Sequence, residues 1–466
     1  MLRNTPHSST STGQPLRRWE TSLEQSKERG SVNPNTEVQN CKAAARRQRQ
    51  KSSCSLGAVE KVLLNDVRII DSLYVGDLEG VIALLPDSRA INVQLEIQSD
   101  ELRWTSRKRG LWSLEYKREL TNPLCITASR GYKDCLRYLL ENRAHVNAAP
   151  GGKAALHHAC ENAHTDCVEL LLDHGANPNL LTEDGLAPLH LCTTHKSFRC
   201  AKLLLKYGAV VDQPSQDDQE TPLHIAAKHG LHNHAHLYLR YGAAVNSRNS
   251  LDETPLIIAC ANAQKLEDME NFLDICRIML IYEADVNATD EEQKSPLHKA
   301  CKNACYDIVS LLLEYQADVN VIDYNGSLPL TCVLQNAVLK QDLKPYRTAQ
   351  CLLNHGCQRL WPTSFLKVLK SCAAAPKTIE ILFNSYPQIK VTDKWVEAVP
   401  EEIYQMHEPF YKSLFMLAST PRSLQHFCRS VIRNQLQSQC HSLIPQLPVP
   451  KFLIKYLLLE PEGIVF

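Results

Sequence analysis

The sequence lacks several features that would assign it quickly. It carries no net charge, since Lys+Arg and Asp+Glu both number 51 in 466 residues. That balance leaves out the electrostatic footprint of a nucleic-acid or anionic-membrane binder. No stretch approaches the ~18 consecutive apolar residues of a membrane-crossing helix. Met1 to Leu16 is polar and rich in Ser and Thr, without the apolar core of a secretion signal. Also missing are a C-x-x-C pair, a phosphate-binding glycine loop, a nucleophile elbow and an H-E-x-x-H pattern. These absences argue against nucleic acid, membrane, metal, cofactor and self-contained catalysis. The expectation is a cytoplasmic protein, with the nucleus as a second site, that works by binding other proteins.

What is present begins with 18 cysteines. In a reducing compartment they remain thiols, and the formal glycosylation sequons at Asn287 and Asn325 carry no meaning. The length exceeds a single core, so several domains or a repeat array are expected. Residues 1–60 are rich in Ser, Gln and Arg and read as a disordered arm. Its run from Arg46 to Lys51 reads either as a nuclear-import signal or as a solvated tail.

One motif recurs. Thr221-Pro222-Leu223-His224-Ile225-Ala226-Ala227 has variants at Ala187-Pro188-Leu189-His190, Thr254-Pro255-Leu256 and Ser295-Pro296-Leu297-His298. The motif leucines fall at 124, 156, 189, 223, 256, 297 and 330, with successive steps of 32, 33, 34, 33, 41 and 33. Nineteen residues after the leucine come Gly175, Gly208 and Gly242, and four beyond those Asn179, Asp212 and Asn246. Asn147 and Asn320 hold the same slot. Thr or Ser would cap the first helix, Pro would open it, and Gly would end the second in a left-handed conformation. A single such unit cannot bury its apolar face, so neighbours must stack.

These residues resemble the ankyrin repeat, over roughly 65–390. The resemblance implies an all-α solenoid of about eight or nine helix pairs, the first and last degenerate. Ile69, Gly76 and Asn92 mark the worn first repeat, and Phe365 to Tyr386 the last, read as a cap. An insertion near 97–120 contains Trp104, Arg107, Trp112 and Tyr116. It reads either as a substrate-specificity element, since Trp, Tyr and Arg dominate interface hot spots, or as a self-packing loop. The run His157, His158, Cys160, His164, Cys167 invites a zinc reading, but repeat register accounts for it: His157 fills the motif His slot and Cys160 a small-residue slot.

Periodicity stops after Tyr386, and residues 391–419 read as a bridge. From Thr420 a helix is expected, with Leu424, Cys428, Val431/Ile432 and Leu436 on one stripe and Gln425, Arg429, Arg433 and Gln437 opposite. Leu447-Pro448-Val449-Pro450 follows. The spacing Ser-Leu-x-x-x-Cys-x-x-x-Ile matches an elongin C-binding box and Leu-Pro-x-Pro a cullin-5 box, so residues 420–466 resemble a SOCS box. The chain is thereby similar to the ankyrin repeat and SOCS box family. That resemblance implies a substrate receptor of cullin-RING ubiquitin ligases. Leu424, Cys428 and Ile432 would meet elongin C, and Leu447, Pro448, Val449 and Pro450 would meet cullin-5, which brings its RING-finger subunit. The repeats would hold an unknown protein substrate. The competing reading is a plain scaffold whose C-terminal helices are a buried cap. Asn287 and Asn320 also resemble asparagines hydroxylated in ankyrin proteins, the alternative being an Asn that merely closes a turn by side-chain hydrogen bonding.

Overall fold

The computed structural model describes the backbone of residues 63–64, 67–107 and 111–465, and side chains over 67–97 and 119–465. The expected N-terminal arm, with its Arg46–Lys51 run, lies outside the described residues.

Among the described residues, nine antiparallel helix pairs stack in succession. Val67–Val75 with Leu78–Leu84 is the first, and Phe365–Cys372 with Pro376–Ser385 the ninth. Each motif opens an inner helix. Pro222 starts Pro222–Lys228 and Pro296 starts Pro296–Lys302, where proline's missing N–H leaves no bond unmade. The motif leucines and small residues form one continuous core, in which Leu223, Ala227, Leu256, Cys260, Leu297 and Cys301 are all fully buried. Cysteine there packs as a small apolar side chain, and burial pushes the Cys305 thiol up to about 12.

The motif histidine is a staple between repeats. In His157, His190, His224 and His298, Nδ1 accepts the backbone N–H three residues earlier, at the start of its own inner helix. The other nitrogen donates to a carbonyl in the next repeat: Leu180, Glu220, Glu253 and Ser327, at 2.8–3.2 Å. Both ring nitrogens of His157 are therefore already engaged, which removes the basis for a zinc reading there. Burial holds His157 and His224 at about 4 and so neutral.

A second ladder runs along the turns. The side-chain oxygens of Asn92, Asn147, Asn179, Asp212, Asn246, Asn287 and Asn320 each accept a backbone N–H from the following repeat, at 2.7–3.0 Å. Asn287 and Asn320 thus make structural side-chain hydrogen bonds, but to the turn of the following repeat: Asn287 accepts from Asp318 and Asn320 from Gln358.

Three departures from regularity are informative. The insertion forms an antiparallel ribbon of β2 (Gln94–Arg107) and β3 (Leu111–Thr121), with the short β1 (Leu63–Leu64) parallel to β2, so the helical solenoid carries one small three-stranded sheet. The extra residues of the repeat at Leu256 form a 3-10 turn at Leu266–Asp268 and a 13-residue outer helix, Met269–Ile281. The ninth pair does not end the stack. Short helices Asp393–Glu397, Glu401–Met406 and Glu408–Met416 cover it, with Trp395 stacked on Phe365 at 4.8 Å and Phe410, Tyr411 and Leu414 buried. The capping role expected of Phe365 to Tyr386 thus belongs to the bridge.

Candidate docking surface

The C-terminal module is built around the helix Leu424–Leu436. Ser423 caps it, its hydroxyl accepting the His426 N–H at 3.3 Å. Residues at i, i+3, i+4, i+7 and i+8 share a helix face. Here that face is Leu424, Phe427, Cys428, Val431 and Ile432, and it points into solvent. Leu424 is 79% exposed, Val431 61% and Ile432 36%, and Cys428 is exposed as well.

The polar face is the buried one. Arg429 is 4% exposed and His426 fully buried, while the flanking Gln425 and Gln437 are exposed. Leu424, Cys428, Val431 and Ile432 share a stripe as the spacing implies, but Leu436 leaves it for the module's own small core, and the helix lies on the repeats through its polar side. Hydrogen bonds make this tolerable. His426 Nε2 donates to the Tyr386 carbonyl at 2.9 Å, and its Nδ1 accepts from Arg429 at 2.9 Å. Burial, then repulsion from Arg422 and Arg429, lowers His426 to about 4, so the imidazole is neutral. The Arg422 guanidinium lies over the Phe383 ring at 4.6 Å and that of Arg429 over Tyr456 at 4.1 Å. Arg433 donates to Asn354, Leu353 and Leu457. Buried Glu380 accepts the backbone N–H groups of Glu462 and Gly463, fastening the returning chain end, and burial raises its carboxyl to about 7.

A small separate core completes the module. Cys440, Ile444 and Leu457 are buried, with Leu436, Leu447, Ile454 and Leu458 packed around them. Leu447 is therefore an anchor on one side, while Pro448 and Pro450 are exposed. Pro450 has φ −55° and ψ 146° and leads into the helix Lys451–Leu457, while the Val449 N–H donates to the Leu447 carbonyl at 2.8 Å, so the strip turns tightly at Pro448 and the two prolines stiffen it. Leu424/Cys428/Ile432 and Leu447–Pro450 thus lie in different elements of one module.

The ribbon carries the aromatic insertion. Its register pairs Leu102 with Tyr116, Trp104 with Leu114 and Ser106 with Trp112, placing Trp104, Trp112 and Tyr116 on one face. Arg107 pairs with Leu111 and falls on the other face, apart from the three aromatics. Phe427 escaped the sequence reading, although its position three residues after Leu424 marks it for the same stripe.

The pattern of repeats followed by this module matches two family models. "Ankyrin repeats (3 copies)" covers 111–182, 174–249, 235–323 and 267–359, and "SOCS box" covers 420–458. The human ankyrin repeat and SOCS box protein 18 is 48% identical over 400 residues, covering 84% of this chain and 86% of that one. The chain belongs to the ankyrin repeat and SOCS box family. Human ankyrin repeat and SOCS box proteins 16 and 10 are 39% and 43% identical, covering 86% and 90% of this chain and 87% and 90% of their own lengths. Membership supports an adaptor that receives substrates, with its SOCS box in Leu424–Leu457 and its repeats before it.

Proposed function

We propose that this chain is the substrate-recognition subunit of an elongin B/C–cullin-5 RING ubiquitin ligase, directing a protein substrate to ubiquitination and proteasomal degradation. The observation that carries the reading is the outward-facing apolar stripe Leu424, Phe427, Cys428, Val431 and Ile432. A helix that merely capped the array would bury that stripe. Here the polar side is buried instead, and the apolar side is left for a partner. Leu424 is the knob for elongin C, flanked by Cys428 and Ile432. Burying one leucine is worth about 1.5–3 kcal/mol, enough for a hot spot. Pro448 and Pro450, exposed on a stiff strip beside Leu447 and Val449, would meet cullin-5. The ligase chemistry belongs to partner subunits, and this chain supplies proximity.

The substrate surface is the solenoid's inner face together with the ribbon. We assign Trp104, Trp112 and Tyr116 to one contact patch and Arg107 to the ribbon's other side.

The test compares two sets of variants by elongin and cullin capture. Leu424→Asp or Leu424→Ala/Cys428→Ala should lose elongin C and, with it, cullin-5. Leu447→Ala/Pro448→Ala/Pro450→Ala should keep elongin and weaken only the cullin. Wild-type elongin capture by the Leu424/Cys428 double variant would overturn the ligase assignment and leave a plain scaffold.

A further inference from the structure

The seam between the eighth and ninth helix pairs and the SOCS box holds a cavity of about 280 Å³. Arg359, Ser385, Arg433, Asn434, Gln437 and Ser438 line it, and no carboxylate does. Two guanidinium groups therefore meet at one polar cavity without a counter-charge.

Their hydrogen bonds leave capacity unused. Arg359 donates to the Ser385 carbonyl at 2.8 Å and to the Asn434 amide oxygen at 3.1 Å. Arg433 donates to Asn354 at 2.6 Å, to Leu457 at 2.8 Å and to Leu353 at 3.1 Å. All five acceptors are neutral. A guanidinium has five N–H donors, so among the described residues three on Arg359 and two on Arg433 have no protein acceptor and stay open to solvent or a ligand. Burial, with repulsion from Arg429 and Arg359, pulls Arg433 down to about 10.

A third observation concerns the backbone. Gln437 ends the docking helix at φ 48° and ψ −120°, a conformation that L-residues rarely adopt. Strain of this kind collects at ligand clamps. Gln437 stands on the cavity lining beside Ser438, whose Cα lies 2.8 Å from where a Cβ on Gly356 would be. The loop around Gly356 and the end of the docking helix are pressed together here.

We propose that this cavity is a binding site for a small phosphate-bearing anion, with Arg359 and Arg433 as its paired cations. Arginine matches phosphate oxygens bidentately, and the two arginines come from opposite sides of the seam. A volume near 280 Å³ is at the small end of ligand sites and suits inorganic phosphate or a sugar-sized monoester. Because one cation belongs to the repeats and the other to the SOCS box, occupancy fastens one to the other. The site is separate from the exposed stripe, so the anion acts on the module's orientation and not on partner contact.

The full chain is titrated with inorganic phosphate and with pyrophosphate, against chloride at matched ionic strength, by calorimetry and thermal unfolding. One saturable site per chain and a phosphate-dependent rise in Tm are expected. Arg359→Gln, at an exposed position, should weaken binding about tenfold or more. Ser438→Glu, which adds a carboxylate without removing a cation, should abolish it. Both variants should unfold cooperatively in chloride, which separates a lost site from a lost fold. Absence of saturable binding by wild type, or equal binding by wild type and both variants, would overturn the proposal. So would capture of a phosphoserine peptide without any response to free phosphate, since that assigns the site to a protein partner.

Discussion

Arg433 donates to the side-chain oxygen of Asn354 at 2.6 Å, a bond that spans 79 positions and joins the SOCS box to the eighth helix pair. Arg433→Met should loosen that joint and cost at least about 1.5–3 kcal/mol, the worth of one hydrogen bond to a charged group, because the bonds to Leu353 and Leu457 go with it. Urea unfolding measures the loss, and hydrogen exchange should locate it in Leu424–Leu457. Elongin capture should persist, because Arg433 lies off the exposed stripe. If elongin capture dropped while exchange stayed unchanged, Arg433 would belong to the docking face instead.

The histidine staple makes a second prediction. His224→Ala leaves the Thr221 N–H and the Glu253 carbonyl without their partner, and each orphaned buried group costs about 1–3 kcal/mol. His229→Ala, at an exposed position in the same repeat, should stay within about 0.5 kcal/mol of wild type. Equal losses in the two variants would remove the staple's special role.

Stability should also fall with acid. Burial lowers His157, His224, His234 and His426 from 6.5 to about 4. The unfolded chain then binds protons that the folded chain refuses, so stability is complete above 6.5 and is lost as pH drops towards 4. Each histidine contributes about 1.4 kcal/mol per pH unit inside that window. Denaturation midpoints between these limits check the slope, and His224→Ala should flatten it.

The turn ladder distinguishes substitutions by whether they keep an acceptor. Asn287→Ala should cost about 1 kcal/mol through loss of the Asp318 N–H bond. Asn287→Asp should be close to neutral, because Asp212 performs the same task towards Ala244. Peptide mass spectrometry of the protein from normoxic cells addresses the proposed modification of Asn287 and Asn320. An added oxygen on either supports it, and unmodified peptides at both rule it out.

Deleting residues 103–117 removes the outer ribbon, with Trp104, Trp112 and Tyr116. Substrate capture should be lost while the Tm and elongin capture hold. Unchanged capture would place the substrate wholly on the helices. A lowered Tm would make the ribbon a structural cover.

The solenoid was legible because each marker has one local job. Pro222 and Pro296 open helices and Asn147, Asn179 and Asn246 hold one slot, so spacing alone brought the units into register. The ribbon was not read as strands, although Leu102-x-Trp104 and Trp112-x-Leu114-x-Tyr116 alternate with period two. Its identity as a ribbon depends on cross-strand pairing between segments that are separately ambiguous. The apolar stripe Leu424, Cys428, Ile432 was equally plain. Which side of that helix would face the repeats was not, because the decision rests on partners far along the chain. Tyr386, Asn354, Phe383 and Tyr456 receive His426, Arg433, Arg422 and Arg429, and spacing within one helix carries no trace of them.

The outward-facing stripe also bears on how much of this protein a cell can hold. A molecule that displays Leu424, Phe427, Val431 and Ile432 to water is adhesive towards copies of itself and towards quality-control machinery. Its soluble level is then set by whatever covers the helix. Expressed alone it should aggregate or turn over quickly, and supply of its covering partner should raise its abundance without any change in its own synthesis.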